Sequence, residues 1–183
     1  MQRRCIIHSS LFIKHMLLFT PFTKRTLLPV NRVTSMSSRA CLKKHAFDTI
    51  IMEDTKMIKA GIIGATGYAG NEIVRLLLGH KNVEVAWYGS RSYIDKKYAG
   101  IYQNFFKLVD AKCMDDNMEA LADEVDVIFT ATPQGLCASL VNEGILSRAK
   151  VIDLSADFRI KDVKKYEKWY GIEHKSPQFI DEA

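Results

Sequence analysis

The sequence lacks any close pairing of its cysteines. The four cysteines, Cys5, Cys41, Cys113 and Cys137, form no C-x-x-C pair, and no cluster of histidines accompanies them. Structural zinc sites and disulfide frameworks are recognised from such spacings. We therefore predict neither a metal site nor a disulfide framework.

Long apolar runs are also absent, and the excess positive charge is confined to one end. No run approaches the ~18 apolar residues that a membrane-spanning helix needs. Residues 1–56 carry ten Lys and Arg against three acids, whereas residues 57–183 carry sixteen against eighteen. The net charge of +5 is thus no argument for a nucleic-acid surface in the larger part. We predict neither a membrane nor a nucleic-acid partner.

The basic segment over residues 1–56, here called the leader, has no acid in its first 47 residues. We predict that it is disordered, and three interpretations of it stay open. It is not normally made, because Met57 stands directly before the first predicted strand. It is a transit peptide, which its Arg, Ser and Thr content would fit. It is a plain tail. The first and third predict a cytoplasmic protein and the second an organellar one.

The most informative stretch, at residues 58–70, reads I-K-A-G-I-I-G-A-T-G-Y-A-G. A short apolar run ends in three glycines spaced three apart: Gly64, Gly67 and Gly70. This pattern predicts a strand that turns sharply into a helix, whose N-terminus could hold a pyrophosphate. The spacing differs from the usual G-x-G-x-x-G fingerprint of dinucleotide sites. The alternative is a glycine-rich turn that binds nothing.

A predicted helix and a second predicted strand follow these glycines and complete a βαβ unit over residues 57–89. An NAD-preferring site would carry an acid at the end of the second strand. Here that place holds Gly89, Ser90, Arg91 and Ser92, so the sequence offers no carboxylate to repel a 2′-phosphate. Arg91 could pair with that phosphate and the serines could assist. We predict NADP as the cofactor; otherwise Arg91 is a solvated loop charge.

The remaining sequence continues the alternation of strands and helices. We predict that aromatic residues 99–111 pack over the sheet, that residues 125–132 and 150–154 are buried strands, and that residues 136–144 are a helix. The fold class is α/β, a Rossmann-like, doubly wound and mostly parallel sheet over residues 57–160. Ligands of such sheets gather beyond the carboxyl ends of the strands. The predicted cofactor-binding residues are Gly64, Thr66, Gly67, Tyr68, Ala69, Gly70, Ser90, Arg91, Ser92, Thr132 and Pro133.

Two further motifs carry a resemblance to a known family. Residues 151–160 read V-I-D-L-S-A-D-F-R-I and residues 166–177 read Y-E-K-W-Y-G-I-E-H-K-S-P. With the glycine stretch and residues 89–92, they closely resemble N-acetyl-gamma-glutamyl-phosphate reductase across residues 57–183. Gln134 departs from the histidine that is commoner in that family. The motif D-L-S-A-D-F-R disfavours the related aspartate-semialdehyde dehydrogenases.

The resemblance implies an NADPH-dependent reduction of an acyl phosphate through a cysteine thioester, which releases N-acetylglutamate 5-semialdehyde and phosphate. In that family the nucleophile lies in an Asn-Pro-Gly-Cys motif, which is absent from residues 1–183. We therefore expect an amino-terminal portion of the enzyme, with residues 161–183 beginning the substrate domain. The full-length enzyme is expected to be a homo-oligomer, and the chain alone to be inactive. An aspartate-semialdehyde dehydrogenase-like enzyme or a non-catalytic NADP-binding module remain the alternatives.

No catalytic residue is predicted within the chain itself. Cys137 lies near the start of a predicted helix, where a thiolate would be stabilised, but its apolar neighbours favour a small core residue. Cys113 has no histidine near it in the sequence, and His174 is left without a role. By the resemblance, Ser155 and Arg159 are the predicted substrate-binding residues, since a guanidinium suits an acyl phosphate. An ion pair of Arg159 with Asp157 or Asp162 is the structural alternative.

Overall fold

The computed structural model describes residues 6–8 and 57–183 of the chain. Apart from residues 6–8, the leader lies outside the described residues, and so does the prediction that it is disordered. The strands are β1 (Ile6–His8), β2 (Ile58–Ile63), β3 (Val83–Tyr88), β4 (Val127–Thr130) and β5 (Lys150–Asp153). The helices are α1 (Tyr68–Leu78), α2 (Tyr98–Ile101), α3 (Met118–Glu124), α4 (Leu136–Leu140), α5 (Glu143–Arg148) and α6 (Val163–Tyr170), and 3₁₀ helices cover Gln103–Phe105 and Pro177–Glu182.

The five strands form one parallel sheet in the order β1-β5-β4-β2-β3. The chain steps from β2 to β3 on one side and then crosses to β4 on the other side of β2. This reversal defines a doubly wound sheet, so the predicted α/β fold is confirmed. β1, from the leader, lies beside β5, with Ile7 opposite Ile152.

Apolar side chains cover both faces of the sheet because successive residues of a strand point to opposite faces. Ile63, Ile128 and Val151 belong to a core beneath α3, α4 and α5. Ile62, Phe129 and Ile152 belong to a second core that contains Val74 and Leu77 of α1 and the aromatic residues that follow β3. The predicted packing of residues 99–111 over the sheet is confirmed, since Tyr98 and Phe105 are buried there.

One predicted helix is wrong. Residues 136–144 form no single helix, because α4 ends at Leu140 and α5 begins at Glu143. Asn142 causes the break: its backbone is extended and its side-chain oxygen accepts a hydrogen bond from the Ile145 N–H at 2.9 Å. Asparagine is strongly preferred at such an N-cap. The junction keeps Cys137 and Ala138 of α4 and Ile145 of α5 in the same core.

Candidate functional site

The carboxyl ends of four strands lie in line along one edge of the sheet. Thr130 pairs with Ile63 on one side and with Asp153 on the other, and Tyr88 pairs with Ile62. The loops that follow these strands, at residues 64–67, 89–92, 131–135 and 154–159, therefore meet at this edge. It includes the point between β2 and β4 where the winding reverses, which is the usual ligand crevice of such sheets.

Of the three glycines in the loop after β2 and the first turn of α1, two are required by the fold itself. Gly64 has a φ of +77°, and a Cβ there would lie 2.5 Å from the carbonyl oxygen of Ala131. A Cβ on Gly70 would lie 2.1 Å from the carbonyl oxygen of Gly64. Neither position can carry a side chain without moving backbone, because these contacts are far inside van der Waals distance.

Gly67 differs from both neighbours. Its φ is −83°, a value open to any residue, and the nearest heavy atom to an added Cβ would be the Gly64 carbonyl oxygen at 3.4 Å. Gly67 stands exposed at the N-cap of α1, ahead of the exposed Tyr68 and Ala69. The protein thus leaves room at Gly67 that its own packing does not need, as a loop does where a ligand's phosphates approach backbone N–H groups.

Two tyrosines donate hydrogen bonds to the backbone of this loop. They are not among the site residues predicted from the sequence. The Tyr98 hydroxyl donates to the Ala65 carbonyl at 2.9 Å, and the Tyr102 hydroxyl donates to the Thr66 carbonyl at 2.7 Å. Tyr98 is fully buried, and burial raises the pKa of its hydroxyl. The aromatic stretch was visible in the sequence, but its contact with a loop more than thirty residues away was not.

The end of β3 contributes the predicted cofactor residues Ser90, Arg91 and Ser92. Ser90 is buried and shares a hydrogen bond of 2.8 Å with the hydroxyl of Thr66, so these two predicted residues join the two loops. Ser92 is exposed. The side chain of Arg91 is 61% exposed, and its Nε donates to Oδ2 of Asp116 at 3.1 Å.

That contact corrects one premise of the sequence interpretation. No acid stands among the four residues that follow β3, yet Asp116, 25 positions after Arg91, brings a carboxylate to this place. Nothing in the local sequence marks this, because the approach depends on a bridge between Gly89 and Met114 that forms only in the folded chain.

The loop after β4 holds Thr132 and Pro133 at the crevice. The Thr132 Oγ1 is buried, and none of the described residues gives it a hydrogen-bond partner. Buried hydroxyls are normally hydrogen-bonded, so such an atom calls for an explanation. A polar ligand in the crevice would supply the missing partner, and Pro133 is exposed beside it.

The loop after β5 differs from the loop after β4, because its buried acids accept hydrogen bonds from other residues of the protein. Asp153 Oδ1 accepts from the Thr130 hydroxyl at 2.8 Å and from the Ser155 N–H at 3.1 Å, and Oδ2 accepts from the Ser155 hydroxyl at 2.6 Å. Burial raises the pKa of Asp153. The Ser155 hydroxyl also accepts from the Asp157 N–H at 3.1 Å. Ser155, predicted to bind substrate, thus already has internal partners, and its contact with substrate stays a prediction.

Asp157 connects three parts of the chain and is fully buried. Its Oδ1 accepts from the Gly135 N–H at 2.7 Å and from the Tyr166 hydroxyl at 2.8 Å, and its Oδ2 accepts from the Ala138 N–H at 3.0 Å. The sequence did not mark it as a central residue. It connects the turn after β4 to α6 through these hydrogen bonds.

Arg159 and His174 receive definite positions. Arg159 is exposed on the edge, and its Nη2 donates to the carbonyl oxygens of Ser155 at 3.3 Å and Leu154 at 3.5 Å. His174 is buried: its Nε2 lies 2.6 Å from the Asp157 carbonyl oxygen, and its Nδ1 accepts from the Ser176 N–H at 3.3 Å. Both ring nitrogens of His174 are therefore used within the protein, which indicates a structural role.

The two described cysteines are buried thiols. Cys137 is fully buried, its sulfur lies 3.3 Å from the hydroxyl oxygen of Thr130, and burial raises its pKa well above the ordinary value. Burial also raises the pKa of Cys113. Such groups are poor nucleophiles, because the thiolate is the reactive form.

Among the described residues, no three His, Cys, Asp or Glu side chains come together as a metal would require. In the same part of the chain, no helix is both long and apolar enough to cross a membrane.

The glycine loop lies within a segment of the sequence that matches a known protein family. Residues 59–183 match the family described as "Semialdehyde dehydrogenase, NAD binding domain". The chain belongs to this family. The family supports a nicotinamide dinucleotide as the cofactor, and the residues of the crevice would suit one: Gly67 leaves space, Thr132 has a hydroxyl without a partner among the described residues, and Arg91 presents a guanidinium.

Three similar proteins from different bacteria share the same protein name. An N-acetyl-gamma-glutamyl-phosphate reductase of Lachnospira eligens is 77% identical over 127 residues, which are 69% of this chain and 36% of that protein. Proteins of the same name from Lachnoclostridium phytofermentans and Heliobacterium modesticaldum are 68% and 42% identical over 127 residues, which are 69% of this chain in both cases and 37% and 36% of the relatives. The chain thus spans a little over a third of the length of these relatives.

Proposed function

We propose that this chain binds NADPH at the carboxyl edge of its sheet and serves the reduction of N-acetyl-gamma-glutamyl phosphate to N-acetylglutamate 5-semialdehyde and phosphate. The name shared by the relatives supports the substrate, and the family supports the nicotinamide cofactor. A cytoplasmic location and a homo-oligomeric full-length enzyme belong to the same proposal.

One observation carries the choice of NADPH over NADH: the position of Arg91. Its guanidinium stands exposed directly after β3, where the ribose of the adenosine half lies in sheets of this class. Among the described residues, Asp116 holds only the Nε of Arg91, so the two terminal nitrogens form a fork that suits a phosphate dianion. Ser92 lies exposed beside it and could add a hydrogen bond.

The chain's own residues would bind and orient the cofactor, which supplies the hydride when bound. The space at Gly67 and the N-terminus of α1 suit the pyrophosphate, since backbone N–H groups and the helix dipole favour negative charge there. The hydroxyl of Thr132 lies where β4 ends and suits the nicotinamide half. Arg159, on the same edge beyond β5, would pair with the phosphate of the substrate.

The test is calorimetric titration of the 183-residue chain with NADPH and with NADH, before and after Arg91→Ala. We expect the substitution to weaken NADPH binding by about 1.5–3 kcal/mol, the range for a hydrogen bond to a charged group, and to leave NADH binding nearly unchanged. Equal losses for both cofactors would overturn the 2′-phosphate assignment.

Arg75→Ala is the matched control. Arg75 is also an exposed arginine in an ion pair, with Glu72, but it lies two turns along α1 from the glycine loop. Its removal should leave both affinities unchanged, so a loss there would point to a general effect of positive charge.

A further inference from the structure

The end of β3 contains a carboxylate whose position is unusual for an NADP site. Oδ1 of Asp116 lies 2.9 Å from the place where a Cβ on Gly89 would stand. Gly89 is the residue directly after β3. In dinucleotide-binding sheets, an acid at the end of the second strand binds the ribose hydroxyls of NAD. Asp116 therefore brings to this place, from another segment, the group that the local sequence lacks.

The backbone holds Asp116 there firmly. The segment before it pairs with the end of β3: the Met114 N–H donates to the Tyr88 carbonyl at 2.9 Å, and the Ser90 N–H donates to the Met114 carbonyl at 2.8 Å. Just after it, the Asn117 side chain caps α3 through the Ala120 N–H. The side chain of Asp116 is only 11% exposed, against 61% for Arg91.

The protein does not fully satisfy this carboxylate. Oδ2 accepts from the Arg91 Nε, and the buried Oδ1 has no hydrogen bond of ordinary geometry among the described residues. Burial is the main reason that the pKa of Asp116 is raised. The Gly64 N–H lies near enough to the carboxylate to oppose this rise in pKa, but it leaves Oδ1 short of a full hydrogen bond. Arg91 is the exposed partner of this pair, so its guanidinium can turn toward the solvent. The nearly buried carboxylate then needs another donor, because an unpaired buried charge is costly. The carboxylate is thus available to a ligand hydroxyl once Arg91 moves.

We propose that Asp116 sets the preference between the two nicotinamide cofactors, and that it acts against NADPH. This rests on the proposed binding of the 2′-phosphate by Arg91. When Arg91 pairs with the phosphate, only one guanidinium would separate the dianion from the Asp116 carboxylate. The like charges would then lie on the order of 6 Å apart and repel each other. The 2′-hydroxyl of NADH instead donates a hydrogen bond to the same carboxylate.

The proposal predicts that the site binds both NADPH and NADH. It also predicts that Asp116 reduces the difference between the two binding affinities. A unit charge and a dianion about 6 Å apart change a binding constant on the order of tenfold even at the dielectric constant of water. Salt screens such a term, so the effect should shrink as the ionic strength rises.

The experiment is titration of the 183-residue chain with NADPH and with NADH for the wild type, Asp116→Asn and Asp116→Ala. In both variants we expect the ratio of the NADH to the NADPH dissociation constant to rise by about tenfold at low salt, and by less at high salt. Asp110→Asn is the control: it removes an acid from an exposed ion pair with Lys97 and should leave the ratio unchanged. Circular dichroism checks that each variant folds.

The outcomes separate the two proposals. A ratio that stays constant, or falls because Asp116 only orients Arg91, overturns the role given to Asp116. If Arg91→Ala weakens both cofactors equally, the 2′-phosphate assignment fails, whatever the Asp116 variants do. If Arg91→Ala selectively weakens NADPH while the Asp116 variants leave the ratio unchanged, the proposed function stands and this inference alone fails.

Discussion

The loops that follow β2 and β3 and the loop that follows β5 lie on the same edge of the sheet, but they use polar groups in opposite ways. Around β2 and β3, Asp116 keeps an unpartnered oxygen, and nearby, after β4, so does Thr132. After β5, all four carboxylate oxygens of Asp153 and Asp157 accept hydrogen bonds from the protein. A buried polar atom costs stability unless it is paired. At the crevice we therefore take the unpartnered atoms of Asp116 and Thr132 as indications of a ligand. The third such atom among the described residues, Ser176 Oγ, belongs to the residue that contacts the structural His174 and indicates no ligand.

The largest effect should be a loss of stability in the loop after β5, where the buried acids are fully hydrogen-bonded. Asp157→Ala would leave the N–H groups of Gly135 and Ala138 and the hydroxyl of Tyr166 without their acceptor. At about 1–3 kcal/mol for each unsatisfied donor, we expect the free energy of unfolding to fall by about 3 kcal/mol or more. Asp157→Asn should cost less, because it keeps one acceptor oxygen.

Urea unfolding of the 183-residue chain measures both changes. Asp110→Ala is the control, since Asp110 is an exposed acid whose partner is Lys97, and it should leave the unfolding free energy nearly unchanged. If Asp157→Ala proved no more damaging than that control, the loop after β5 would not depend on its buried acid.

The next largest effect should be a loss of cofactor binding on substitution of Gly67, in contrast to the loss of stability expected at Gly70. Gly67→Val should abolish binding of either cofactor, because the branched side chain would occupy the space for the pyrophosphate. The protein itself has room for the Cβ: φ is −83°, and the nearest atom to an added Cβ lies at 3.4 Å. Gly67 is also exposed, so the two methyl groups can extend into the solvent. Stability should therefore hold while binding is lost.

Gly70→Ala is the opposite case. Its Cβ would lie 2.1 Å from a backbone oxygen, so we expect the fold itself to be weakened. Thermal unfolding with calorimetric titration separates the two variants. A stable Gly67→Val protein that binds NADPH normally would show that the spacing of the glycines serves only the turn.

The smallest expected effect compares two threonines that are two residues apart. Thr132→Val removes a hydroxyl without a partner among the described residues. This substitution should not lower the stability of the protein. It should weaken the binding of NADPH by roughly three- to tenfold, which corresponds to one hydrogen bond of about 1 kcal/mol. Thr130→Val removes a hydroxyl bonded to Asp153 and should lower stability instead. The reverse pattern in paired unfolding and binding assays would refute this assignment.

Local features of the fold could be predicted from the sequence, whereas contacts between distant segments could not. The βαβ unit and its glycine turn follow from neighbours in the chain, and so did the position of Arg91 after β3. The helix predicted over residues 136–144 failed because Asn142 offered its side chain as a cap. Such caps compete with helix continuation through local hydrogen bonds that an apolar pattern does not show.

The missed site residues share one property. Asp116, Tyr98 and Tyr102 reach the crevice from segments that lie far from it in the sequence. Their types carry no signal at their own positions: one is an acid in a polar stretch, and two are aromatics in an aromatic stretch. Only the pairing of the Met114 segment with the end of β3 shows that a carboxylate faces Arg91.

The most direct test of the account uses two small probes that differ only in the 2′-phosphate. Adenosine 2′,5′-bisphosphate and adenosine 5′-monophosphate would be titrated into the 183-residue chain and into its Arg91→Ala variant. The account predicts that the bisphosphate binds the wild type at least about tenfold more tightly, as one charge-assisted hydrogen bond allows, and that Arg91→Ala removes the difference. Equal affinities for the two probes in the wild type would contradict the claim that this edge of the sheet recognises the 2′-phosphate through Arg91.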